Sequence, residues 1–194
     1  TLAAPTYAAT QKPMLLGKDW MAITGKPLAA TSGAQLFMQG GNAVDAACAM
    51  LATTSTMWDT LGWGGETQAL IWHPEEQRVI GINALGVAPT GATPEFFRDQ
   101  GMDYPPEYGP LAAVTPGTPG GLMEMLARYG TLSLAEVLAP AIDMAENGYP
   151  IEAGAVRSIA RFREAIEQWP ESAAVFLPGG EVPEVGDLFV QPDL

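Results

Sequence analysis

Apolar positions in this chain follow a helical spacing of three to four residues over much of its length and gather into short runs in one central stretch. Trp20-Met21-Ala22-Ile23-Thr24 is a short apolar run between Gly17 and Gly25, which predicts a strand. Helices are expected from about Leu28 to Gln39 and from about Ala43 to Thr54. In the second, Val44, Ala47, Cys48 and Leu51 form one small, apolar stripe. Gly40 and Gly41 end the first helix; Asn42 caps the next, with Asp45 in its first turn. The runs Thr67–Trp72 and Arg78–Asn83 flank the polar turn His73-Pro74-Glu75-Glu76-Gln77 and predict a β-hairpin.

Two prolines make Ala88–Pro94 a loop that launches a short helix at Pro94. Gly101 to Pro110, rich in proline, aromatics and acids, reads as an exposed loop. From Pro119 the chain turns helical, with Leu122, Met125, Leu126 and Tyr129 in period and Gly130 as the stop. Ser133-Leu134-Ala135-Glu136 is a capping-box pattern, followed by the stripe Leu134, Val137, Leu138, Ala141, Ile142, Ala145; Pro140 is expected to kink this helix. A more charged helix is expected from Glu152 to about Gln168, where Arg157, Arg161 and Arg163 face Glu164 and Glu167 as a solvated surface. Beyond Pro170, prolines and glycines predict loops. Helices flanking few strands define an α+β class. Residues 1–18 read as an irregular lead-in and 19–194 as a single, incomplete domain.

Composition narrows the function. Of 194 residues, 47% are apolar, the proportion of a chain with a real core. Asp and Glu outnumber Lys and Arg by 22 to 9, for a net charge of −13, which disfavours nucleic acid and anionic lipid as partners. No apolar run is long enough to span a membrane. With one cysteine, Cys48, neither an intrachain disulfide nor a thiolate metal cluster is available; the pattern places it as a buried small hydrophobe. The lone histidine, His73, reads as a turn residue at a strand end. No ligand cluster points to a metal or organic cofactor.

Chemistry enters through a series of segments in order. Lys26-Pro27-Leu28-Ala29-Ala30-Thr31-Ser32-Gly33 is followed by Gly40-Gly41-Asn42-Ala43-Val44-Asp45-Ala46-Ala47 and Gly62-Trp63-Gly64-Gly65. Then come Thr115-Pro116-Gly117-Thr118-Pro119-Gly120-Gly121-Leu122, Glu136–Ile142, Asn147-Gly148-Tyr149-Pro150 and Gly186–Leu194. The series resembles the N-terminal part of the large chain of the γ-glutamyltransferase (γ-glutamyltranspeptidase) family, from near Lys26 to Leu194. The resemblance implies the four-layered αββα fold of N-terminal-nucleophile hydrolases, with this chain supplying its helix-rich N-terminal part. It also implies a self-cleaving precursor and a periplasmic or secreted enzyme. The nucleophile is then a threonine at the start of a small subunit, whose α-amine serves as local base. That threonine, the rest of the large chain and the small subunit are the implied partners, so no catalytic residue is assigned within this chain. The substrate is a γ-glutamyl or other amide. Thr1 has the right amine-beside-hydroxyl chemistry, but it precedes the large-chain motifs and Pro5 interrupts any strand after it.

One departure bears on substrate. In γ-glutamyl enzymes an arginine in an Arg-Glu-x-Ala-Pro segment grips the α-carboxylate of the glutamyl group through paired hydrogen bonds. Aligned on Ala88-Pro89, that place is Leu85; in a second branch of the family, reading Gly-Arg-Ala-Pro, it is Val87. Neither residue holds a carboxylate, and losing a buried clamp of this kind costs on the order of several kcal/mol. Either the acyl group differs from γ-glutamyl, with Leu85 and Val87 lining a more apolar pocket, or an arginine from elsewhere substitutes. Glu66, following the paired glycines, is either a pocket acid that orients an amine or a strand-end carboxylate facing water, the commoner case for an acid beside a strand, and Asn83 is a candidate polar contact. A non-catalytic relative that keeps the scaffold for binding or assembly is the alternative reading.

Overall fold

The computed structural model describes residues 14–57 and 62–194. Two helices open it. α1 (Pro27–Met38) starts on a proline whose missing N–H costs nothing at that position, and α2 (Ala43–Thr56) begins at Asn42. Between them Gly40 takes φ +88°, a left-handed turn that allows the two helices to double back into contact. The antiparallel hairpin follows as β1 (Thr67–His73) and β2 (Arg78–Ala84), with Thr67 opposite Ala84 and His73 opposite Arg78. α3 (Pro94–Asp99) is capped by the Thr93 hydroxyl, which accepts from Phe96 N. α4 (Thr118–Tyr129) and α5 (Leu134–Asn147) complete the helical layer.

Small side chains let this layer pack closely. Ala46, Cys48, Ala49 and Ala52 of α2 are buried against Leu122, Met125 and Leu126 of α4 and Val137 and Ala141 of α5. Ala69, Ile71 and Ile82 on the inner face of the hairpin pack onto the same core. A second core gathers Ala29, Met57, Tyr149, Ile151, Ile159 and Phe189 beneath the C-terminal segments.

Four expectations need correction. Trp20–Thr24 is not a strand: it joins no ladder among the described residues, and Trp20 instead stacks on Phe37 of α1, centroids 5.0 Å apart. A strand needs an edge to pair with, and here an aromatic face is the available partner. The charged helix is two pieces, α6 (Ala153–Arg161) and α7 (Arg163–Glu167), broken at Phe162, whose ring lies edge-on to Tyr108. Pro170 starts a helix, α8 (Pro170–Phe176), where loops were expected, because proline is pre-set for a first turn. Last, Tyr149–Pro150 (β3) and Leu188–Phe189 (β4) pair antiparallel across a long sequence separation. Pro140 lies within α5, which runs on through it to Asn147. Arg163 pairs with Glu167 at 2.7 Å on the exposed face, as the charge pattern implies.

Candidate functional site

The hairpin has one face on the helical core and one face open. Thr67 and Ile80 are buried on the inner side, whereas Gln68, Leu70 and Trp72 of β1 and Val79 and Asn83 of β2 are exposed on the outer. The alternation continues beyond the paired ends. Glu66 is exposed ahead of buried Thr67, and Leu85 and Val87 are exposed around half-buried Gly86. Glu66, Asn83 and Leu85 therefore share the outward face at the end of the hairpin remote from its turn, while Val87 is exposed beyond Gly86, whose φ of +78° ends the alternation.

Glycines fix that end. Gly65 N donates to Gly62 O at 2.9 Å, and Gly65 O accepts from both Gly117 N (2.9 Å) and Thr118 N (3.1 Å). Thr115 N donates to Val87 O at 3.0 Å. Beneath them the Thr67 hydroxyl donates to the Thr118 hydroxyl at 3.3 Å, both buried. Gly86 has φ +78°, and a Cβ there would stand 2.1 Å from Thr115 O; one on Gly117 would stand 2.1 Å from Ala84 O. Backbones this close admit no side chain, so three motif segments are held together there, with Leu85 and Val87 exposed on either side of Gly86.

Sequence reasoning missed Gln68, which lies directly opposite Asn83 on the same face as Glu66. The signal was the alternation Glu66-Thr67-Gln68, extended one residue into the strand. No hydrogen bond or ion pair engages the side chains of Glu66, Gln68 or Asn83 among the described residues. Arg78, the hairpin's arginine, is at its opposite end and pairs with Glu76.

Behind the hairpin, the Asn42–Asp45 pair does structural work. The Asn42 side chain accepts from Val44 N and Asp45 N and donates to Tyr129 O at 2.6 Å. Asp45, fully buried, accepts four hydrogen bonds: Asn42 N (2.8 Å), Thr131 N (2.9 Å), the Thr131 hydroxyl (2.6 Å) and Leu132 N (3.2 Å). Burial pushes its carboxyl upward, but the Thr131 hydroxyl and the three backbone N–H groups outweigh that and hold it below the ordinary value. Cys48 is fully buried and its thiol is pushed up to about 12, first by burial and then by Asp45, so it is no nucleophile. His73 stands at the end of β1, where its Nδ1 accepts from Glu76 N and its ring meets Tyr129 edge-on. Thr1 lies outside the described residues.

The clefts lie elsewhere. One of about 430 Å³ is lined by Tyr108, Phe162, Trp169 and Phe176, and another of about 460 Å³ by Asn42, Trp72, His73 and Tyr129. None of the four candidate residues lines either of these two.

A helical layer behind one sheet face, with motif residues on the other, is an α+β scaffold of the N-terminal-nucleophile hydrolase type. Residues 29–194 match the gamma-glutamyltranspeptidase family, and the chain belongs to it. It is 33% identical to the glutathione hydrolase proenzyme of Bacillus subtilis (strain 168), over 99% of this chain and 35% of that protein. It is 36% identical to the acylase ACY 1 proenzyme of Pseudomonas sp. (strain SE83), over 96% of this chain and 35% of that one. The crystal structure of Helicobacter pylori gamma-glutamyltranspeptidase superposes with a TM-score of 0.86 at 34% identity, covering 93% of this chain and 53% of that chain. The chain thus spans about a third of the length of these curated relatives. No described helix is long and apolar enough to cross a membrane.

Proposed function

We propose that this chain is the N-terminal part of the large subunit of a γ-glutamyltransferase-like amide hydrolase or acyltransferase with altered acyl specificity. The reaction runs through a threonine outside these residues. Its hydroxyl attacks the amide carbon, the C–N bond breaks, and the hydroxyl proton passes by way of the α-amine to the departing amine. Water or a second amine then releases the acyl group from the ester. The chain's part is to wall the acyl site, and its partners are the remaining large chain and the small subunit that carries the threonine. Relatives named as proenzymes support precursor processing, and export to the periplasm or medium goes with that reading.

The observation that carries the specificity is the position of Leu85 and Val87. They are 44% and 69% exposed beside the close backbone approaches of Gly86 and Gly117, at the positions where the motifs of the family that the chain resembles carry a carboxylate-gripping arginine. An aliphatic pair there gives an α-carboxylate nothing to bind and leaves it to be desolvated. The test is turnover of γ-glutamyl-p-nitroanilide and simple acyl anilides by the complete, processed protein. Slow γ-glutamyl turnover beside faster acyl turnover is expected. A γ-glutamyl rate equal to that of an arginine-bearing relative contradicts altered specificity, and no turnover of any anilide favours the non-catalytic alternative.

A further inference from the structure

We propose that the outward face selects an acyl group that carries a free amine but no carboxylate, with Glu66 as the amine's counter-charge and Gln68 and Asn83 as its hydrogen-bonding flank. The inference rests on the reading above and sharpens its substrate class. Three observations converge on it. Glu66, Gln68 and Asn83 share one face by strand alternation, Gln68 and Asn83 as direct cross-strand partners, which brings their Cβ atoms to about 5 Å. All three side chains are without a partner among the described residues. On that face the polar band is bounded by aliphatic groups, Leu70 along β1 and Leu85 just beyond the end of β2, with exposed Val87 following Gly86.

The chemistry of the band defines its ligand. The Gln68 and Asn83 carboxamides can accept through oxygen or donate through NH2, so the sign of the ligand is set by the Glu66 carboxylate, which, with no cation beside it on this band among the described residues, matches an ammonium group. A ligand carboxylate would face Glu66 at like charge and the Leu85–Val87 wall without a donor. An acyl chain bearing neither group would fill the aliphatic boundary yet leave Glu66 unengaged. Glu66 and Gln68 are held for this role, since Gly65 just ahead of them is pinned by Gly117 N and Thr118 N and buried Thr67 between them by Thr118.

Four p-nitroanilides separate the two determinants, each measured with the complete processed protein. They are 4-aminobutyryl (amine only), γ-glutamyl (amine and carboxylate), glutaryl (carboxylate only) and butyryl (neither). The expected order places 4-aminobutyryl first in kcat/KM, about 10- to 100-fold above butyryl, the range of one charge-assisted hydrogen-bonded contact. Glu66→Gln lowers the ratio of 4-aminobutyryl to butyryl turnover about tenfold, chiefly through KM, and Glu66→Asp restores part of it. Calorimetric binding of 4-aminobutyramide, weakened in Glu66→Gln, gives a second readout that needs no turnover. Equal rates for 4-aminobutyryl and butyryl anilides, or a ratio unmoved by Glu66→Gln, overturn this inference and leave the proposed amidohydrolase intact. A preference for glutaryl or γ-glutamyl anilides overturns both the amine site and the altered specificity. Absence of turnover with 4-aminobutyramide still bound through Glu66 supports the amine site and refutes the catalytic reading; absence of both turnover and binding refutes both.

Discussion

Replacing Asp45 with Asn tests how the scaffold behind the site is held. The carboxylate joins the start of α2 to the turn between α4 and α5, taking Thr131 N and Leu132 N on Oδ1 and Asn42 N and the Thr131 hydroxyl on Oδ2. An amide keeps one acceptor. With its oxygen at Oδ1, the NH2 group faces Asn42 N–H, donor against donor, and the Thr131 hydroxyl must rotate to accept. The three bonds that survive lose charge assistance, about 1 kcal/mol each, and one buried N–H is stranded at about 1–3 kcal/mol. The sum is roughly 4–6 kcal/mol, a large fraction of the stability of an ordinary domain. Urea unfolding of the complete protein measures it, with Thr131→Val, which removes one of the four bonds, expected to cost about 1–2 kcal/mol. Acid provides an internal check. The folded carboxyl titrates below its unfolded value of 3.8, so its contribution is present above that pH and is lost as pH falls through the lower folded value. Asp45→Asn is expected to flatten the stability profile in that window. A cost under about 1 kcal/mol, or an acid slope as steep as in the wild type, refutes the reasoning.

Other outcomes follow from single contacts. Gly86→Ala forces a side chain into a left-handed residue 2.1 Å from Thr115 O and is expected to cost more than about 2 kcal/mol and to impair turnover, read by unfolding and by anilide hydrolysis. The Tyr149 hydroxyl is buried without a hydrogen-bond partner among the described residues, so Tyr149→Phe should raise stability by about 1 kcal/mol in the same unfolding assay. Cys48, buried and with its thiol raised to about 12, should resist Ellman's reagent at pH 8 in the folded protein and react on unfolding. Leu85→Arg returns a guanidinium to the outward face and should raise kcat/KM for γ-glutamyl-p-nitroanilide about tenfold relative to butyryl-p-nitroanilide.

Local chemistry was legible in the residues, and contacts between distant segments were not. The Asn42 cap, the capping box at Ser133/Glu136 and the hairpin around His73–Gln77 formed where the pattern put them, because each is decided within a few neighbours; the structure adds that Asp45 closes a capping box on Asn42. Pairing of Tyr149–Pro150 with Leu188–Phe189 depends on how the second core closes, which no window of sequence contains. Asp45 illustrates both cases: its cap to Asn42 is readable, whereas its three bonds to Thr131 and Leu132 cross more than eighty residues. At the site, Glu66, Asn83, Leu85 and Val87 were found separately, from motif positions. Strand register places Asn83 opposite Gln68, and alternation carried one residue past the ladder adds Glu66 and Leu85 to their face. The close approach of Gly86 to Thr115 and of Gly117 to Ala84 leaves no trace in either segment read alone.

Mass spectrometry of the complete protein after reaction with an electrophilic amide-substrate mimic tests the central claim most directly. The account predicts a covalent acyl adduct on the N-terminal threonine of a downstream small subunit and none within these 194 residues. An adduct on Thr1, Cys48 or any other side chain of this chain would contradict it.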